Sequence, residues 1–287
     1  MESHGEVRPL PRPVGDLAVP QAVPVGGAAG APIAGPRRRL LTGVEALDRF
    51  MGPLVGGRVA MLRGLEHAPS LLPRIVVAAV LELGEDAVVV DGGNAADPYR
   101  LSAACRRLGA RPEDVLSRVH VARAFTSFQM SAIVEGALPR AVDEHVPGLL
   151  AVLSVDELYH DDNVGRDQAA VLLGRAMDRV RSLAADRGLI AVLGDLRAHR
   201  ARQGDRFAAI VDERVDQCVS LERRSARTLR LRRRDGAVAL LAAAPPGQLT
   251  LDDFARAGPN GPQGRGGDPG DGEGAGGGWP AGLEEGW

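Results

Sequence analysis

Apolar residues recur along the middle of this chain in two periods, and their alternation predicts the fold. Five short runs are apolar almost without interruption: GGRVAMLRG (56–64), DAVVVDGG (86–93), VHVARAF (119–125), LLAVLSV (149–155) and LIAVLGD (189–195). Runs of this kind predict strands covered on both faces. Between and before them lie stretches of helical spacing. TGVEALDRFM (42–51) reads as a short helix capped by Thr42, and PSLLPRIVVAAVLELG (69–84) as a helix ended by Gly84. Pro69 and Pro73 fit that second helix only near its first turn. PYRLSAACRRLG (98–109), RPEDVLSRV (111–119) and residues 126–143 continue the pattern. Residues 166–187 predict the longest helix, with Leu172, Ala176, Val180 and Leu183 on one stripe. Buried strands separated by amphipathic helices predict an α/β fold, a mostly parallel sheet with helices on both faces.

The pattern changes near the end. RVDQCVSLER (214–223), ARTLRLRRR (226–234) and AVALLAA (237–243) follow one another with short turns and no helix between them. They predict an antiparallel extension at one edge of the sheet. Outside this region periodicity is lost. Residues 1–36 read as a Pro/Gly-rich disordered arm and 257–287 as a Gly-rich, acidic, disordered tail, with Trp279 and Trp287 as possible aromatic anchors. The core domain is expected over 37–256.

Composition narrows the chemistry. Hydrophobic residues make up 45% of the 287, but aromatics only 3%, so the core must be built from Ala, Val and Leu. A net charge of −2 singles out neither a polyanion nor a membrane surface as partner. All 35 basic residues are Arg, so no lysine-dependent chemistry can be run by this chain alone. Cys105 and Cys218 have no metal-type spacing and read as buried, reduced thiols. No leader pattern and no apolar run of about 18 residues is present, which predicts a soluble, cytoplasmic protein with no membrane partner.

Several blocks, in order, carry a resemblance. LLTGVEALDRFMG (40–52), AVVVDGGNAADPYRLSAACRRLGARPEDVLSRVHVARAF (87–125), the block from LLAVLSVDELYHDD to LIAVL (149–193) and RTLRLRRR (227–234) are similar to blocks of the archaeal and eukaryotic strand-exchange recombinases, the RadA family. The similarity runs over roughly 40–245 and implies a RecA-type core. It also implies a phosphate-binding loop at MLRGLEHAPSLL (61–72), and there the chemistry departs from the family's. Gly64 keeps the turn, but His67 and Pro69 stand at loop glycines, Ser70 at the lysine and Leu71 at the magnesium-binding Ser/Thr. Leu153 stands at the metal-anchoring carboxylate, Gly93 at the water-polarising glutamate and Leu196 at the sensing glutamine. Asp91 is retained, as a strand-end residue suited to capping the next turn. The resemblance therefore implies a degenerate site: no catalytic residue, no metal and no cofactor. A helix N-terminus leaves room for weak nucleotide binding, which Glu66 opposes.

Other polar clusters have two readings each. His67 with Glu66 and Ser70 reads as a hydrolytic group or as a polar surface turn. Asp156, Glu157, His160, Asp161 and Asp162 read as a metal site only if they converge, and otherwise as a solvated loop. RAHRARQGDR (197–206) falls on the family's second DNA-binding loop, which makes Arg197, Arg200, Arg202 and Arg206 candidate contacts for single-stranded DNA. Arg230, Arg232 and Arg234 alternate with Leu229 and Leu231 to form a basic stripe. That stripe binds nucleic acid or protects an edge strand from aggregation.

Two functions follow as expectations. The first is an inactive RadA/RecA-like protein that assists DNA recombination or repair by binding single-stranded DNA, an active recombinase, or both. The alternative is a pure protein-interaction module on a degenerate RecA fold, of the kind serving as a mutagenic-repair accessory or cell-division inhibitor, without DNA binding.

Overall fold

The five apolar runs form the centre of an eight-stranded sheet. A computed structural model describes residues 37–160, 164–196, 205–225 and 227–242. The central strands are β3 (Arg58–Arg63), β4 (Ala87–Asp91), β5 (Val119–Arg123), β6 (Leu149–Leu153) and β7 (Ile190–Asp195). Preceding them, β1 (Arg39–Leu40) and β2 (Leu54–Val55) form a separate antiparallel pair that the sequence pattern does not foresee. The last strands are β8 (Gln217–Ser225), β9 (Thr228–Arg233) and β10 (Val238–Ala242), and the sheet order is β10-β9-β8-β3-β7-β6-β4-β5. Pairing is parallel from β8 through β5 and antiparallel between β8, β9 and β10.

Strand alternation divides the core between the two faces. Ala60, Leu62, Val89, Ala151 and Val192 point to one side, under α2 (Leu71–Leu83), α3 (Pro98–Arg107) and α4 (Pro112–Leu116). Val59, Met61, Val88, Val90, Leu150, Val152 and Leu193 point to the other. That second face is covered by α5 (Ser127–Ala132), α6 (Leu138–His145), α7 (Arg166–Arg187) and α8 (Arg206–Asp212). A period of two with both faces apolar is what a doubly covered parallel sheet requires.

The runs at 214–223, 226–234 and 237–243 pair antiparallel with one another and extend one edge of the sheet, as expected, and β8 joins them to the core by lying parallel to β3. The unforeseen α8 supplies the crossover that a parallel connection needs. Two expectations need correction. Because β10 pairs on its outer side, β9 lies inside the sheet and β10 is the edge, so the stripe of Arg230, Arg232 and Arg234 does not guard an edge strand. Thr42 is not the residue before the first helix: α1 runs Glu45–Met51 after Val44. The Thr42 hydroxyl accepts from the Val44 N–H (3.2 Å) and donates to Asp48 Oδ1 (2.7 Å). Asp48 also accepts from the Thr42 and Gly43 N–H groups.

Smaller differences have local causes. The helix expected at 126–143 is α5 and α6 joined by a π turn at Ile133–Ala137, just ahead of Pro139, which withholds a donor from the ladder. On α7 Leu173 is fully buried along with Ala169, Ala176, Met177, Val180 and Ala184, while Leu172 is half-buried against the same cluster, so the stripe is wider than one residue per turn. Cys105 and Cys218 are both buried, free thiols, as expected. Among the described residues no helix is long and apolar enough to cross a membrane.

Candidate functional site

The turn after β3 occupies the place where a parallel sheet offers a ligand its strand ends and a helix N-terminus. Gly64 takes φ 77° and ψ 34°, a left-handed conformation open to glycine, and a single 3-10 turn follows at Leu65–His67. In a phosphate-binding loop the backbone N–H groups face the anion. Here the Glu66 N–H donates to the Leu196 carbonyl at 2.7 Å. The His67 and Ala68 N–H groups donate to the carbonyls of Gly64 and Leu65, both at 3.0 Å, and Leu71 donates to Ala68 at 2.9 Å. Pro69 has no N–H to offer. Four of the turn's donors are thus engaged by the protein's own backbone.

Apolar side chains gather beside the turn. A Cβ built on Gly194, in β7, would stand 2.8 Å from Leu65 Cδ1, 2.9 Å from Leu153 Cδ2 and 3.4 Å from Leu72 Cδ2. These leucines therefore converge at the carboxyl ends of β3, β6 and β7, and all three are buried. Leu71 is also buried in this core, and Leu196 packs partly buried against it. At Gly93 a Cβ would stand 2.4 Å from Ser154 Oγ and 3.5 Å from Leu196 Cδ1. The structure thus brings Gly93, Leu153 and Leu196 together with the turn, as the resemblance implies, and fills the meeting point with apolar atoms.

The polar residues of the turn lead elsewhere. His67 Nε2 lies 3.5 Å from Glu66 Oε1, in the turn itself. Ser70 is exposed and lines a cleft of about 390 Å³ between α2 and α3, with Arg74, Arg100 and Arg107 in its walls. Asp91 is fully buried and its oxygens accept from the N–H groups of Gly93 (3.2 Å), Ala95 (2.9 Å) and Ala96 (2.9 Å), with Arg123 Nε at 3.5 Å. It organises the loop after β4.

With this geometry in hand, the sequence model of the Rad51 family matches residues 78–237, more than half of the chain. The chain belongs to the Rad51 family. The match runs from the middle of α2 to the turn before β10; it takes in β4 to β9 of the RecA-type core, and β3 and the turn after it lie ahead of the matched residues.

Of the basic candidates in this Rad51-family chain, Arg197, Arg200 and Arg202 lie outside the described residues. Arg206 opens α8 and pairs with Asp167. Leu229 and Leu231 are buried while Arg230 is half-buried and Arg232 and Arg234 are exposed, so the predicted two-faced strand is present. Arg230 lies 3.5 Å from Glu222, and Arg234 lies 3.7 Å from Asp212. Arg232 and Arg234 line a cleft of about 300 Å³ floored by Arg63, a buried residue that the sequence reading passed over. Burial works against the Arg63 charge, but the neighbouring Cys218 sulfur and the Asp212 carboxylate at 2.8 Å outweigh it and hold the guanidinium protonated. In the acidic loop Asp156 is buried, while His160 packs edge-on against Phe207 and lies 3.9 Å from Asp205. Asp161 and Asp162 lie outside the described residues.

A second cluster, Asp86, His120 and His145, was also missed. Its members are far apart in sequence, and only the pairing of β5 beside β4 signals the approach of His120 to Asp86.

Proposed function

We propose that this Rad51-family protein is a non-catalytic paralogue that assists DNA recombination or repair by binding single-stranded DNA, an active recombinase of its own family, or both. The observation that supports this best is the convergence of Leu65, Leu72 and Leu153 on Gly194, beside a turn in which the N–H groups of Glu66, His67, Ala68 and Leu71 are bonded internally. Phosphoryl transfer depends on positioning and charge neutralisation. The chain has no lysine at all, and leucines stand where the metal ligands are expected. A RecA-type subunit that cannot turn over nucleotide can still cap or regulate a filament of active subunits. Exposed Phe125 and Phe128, just past the edge strand β5, suit a protein partner.

The second reading, an interaction module without DNA binding, is favoured by the pairing of Arg230 with Glu222 and of Arg234 with Asp212. Guanidiniums that already hold a carboxylate have less to gain from a phosphate.

The two readings separate in a salt titration of a fluorescent single-stranded oligonucleotide against the full chain. The first predicts weak binding with little sequence preference. Each phosphate contact on a single strand contributes a slope of about −0.7 in log affinity against log salt. Replacing Arg197, Arg200 and Arg202 together by Ala then flattens the slope by roughly 2 if all three touch phosphate. Replacing Arg230, Arg232 and Arg234 has the smaller effect. No binding at low salt, with an active recombinase still co-purifying, supports the interaction module instead.

A further inference from the structure

At the opposite end of the sheet from the turn after β3, three potential metal ligands meet. Asp86 immediately precedes β4, and the pairing of Val88 with His120 sets His120 beside it on β5. His145 is the last residue of α6, from which the chain returns to β6 through Gly148, whose N–H donates to the Asp86 carbonyl at 2.9 Å. His120 Nε2 lies 2.8 Å from Asp86 Oδ2. The rings of His120 and His145 stack with centroids 3.6 Å apart and planes 11° from parallel. One donor atom from each of the three residues lies within 4.8 Å of the others.

We propose that Asp86, His120 and His145 form a binding site for a divalent transition-metal ion of the zinc type. Two imidazoles and a carboxylate are a donor set that zinc accepts, in a tetrahedron whose fourth position is left to water. Bonds of about 2.0–2.1 Å place tetrahedral ligands about 3.4 Å apart, so closing the cluster around an ion requires one of the two stacked imidazoles to turn out of the stack until both ring nitrogens face the ion. The surroundings support it. Arg118 Nε holds Asp86 Oδ1 at 3.1 Å and leaves Oδ2 facing His120, an outer contact of the kind that orients ligating carboxylates. All three residues are half-buried, open enough for an ion to enter and for water to complete its coordination. The ion would tie the start of β4, the edge strand β5 and the end of α6 together.

The test uses the untagged full chain, stripped with chelator and titrated with zinc chloride by calorimetry, with cobalt(II) absorption as a second readout. The expected result is one equivalent bound, a four-coordinate cobalt spectrum and a higher melting temperature with zinc. Asp86→Asn, His120→Gln and His145→Gln should each weaken zinc binding by more than about tenfold. His160→Gln, outside the cluster, should leave it unchanged. Melting in chelator shows that each variant is folded. Absence of stoichiometric binding, or binding that survives in the double variant of His120 and His145, overturns the proposal.

Discussion

Replacing Asp91 by Ala is expected to destabilise the fold by roughly 3 kcal/mol, because three half-buried backbone donors lose a fully buried acceptor at about 1 kcal/mol each. The carboxylate is fully buried and gathers the N–H groups of Gly93, Ala95 and Ala96, with Arg123 closing the rim. Arg123 is partly exposed, so its share is small. For a domain of this size the loss corresponds to a fall of about 6–12 °C in melting temperature. Asp91→Asn keeps one carbonyl acceptor and should cost about half as much. Urea and thermal unfolding of the three proteins measure this directly. A loss below about 1 kcal/mol for Asp91→Ala would show that the loop after β4 is not held by this carboxylate.

Gly93→Glu, which restores the side chain that the recombinase pattern carries, is expected to damage the fold without creating activity. Its Cβ would stand 2.4 Å from Ser154 Oγ and 2.9 Å from Ser154 Cβ. Ser154 is fully buried at the end of β6 with φ 51°, and its N–H is bonded to the Gly194 carbonyl at 2.7 Å, so it has little room to retreat. Overpacking of this kind costs about 1–3 kcal/mol, and confining a carboxylate there adds to it. The expected result is a melting temperature lower by at least about 6 °C, or insoluble protein, with Gly93→Ala intermediate. A stable Gly93→Glu variant that hydrolyses ATP would mean that the site is open and only lacks its base.

The parallel core was legible because its strands are apolar on both faces and its helices are long enough to show their period. The helix before β8 was not, because α8 has only seven residues, and Phe207, Ala208 and Val211 are too few to establish a period. Residue types at the turn were readable by resemblance, down to Leu71, Gly93 and Leu153. The destinations of the turn's N–H groups were not. The bond from Glu66 to Leu196 joins residues 130 apart, and the leucines that meet at Gly194 come from β6, the turn and α2. The cluster of Asp86, His120 and His145 was hidden for the same reason. No local spacing encodes it, only the pairing of β4 with β5 and the return of the chain from α6.

The central claim is that this Rad51-family scaffold holds no working nucleotide site, and the most direct test is magnesium–ATP itself. Titrating the full chain with magnesium–ATP, and following phosphate release from the same samples, should show no saturable binding tighter than about 1 mM and no turnover above a buffer blank. Magnesium-dependent hydrolysis that disappears when Ser70 is replaced would contradict the account.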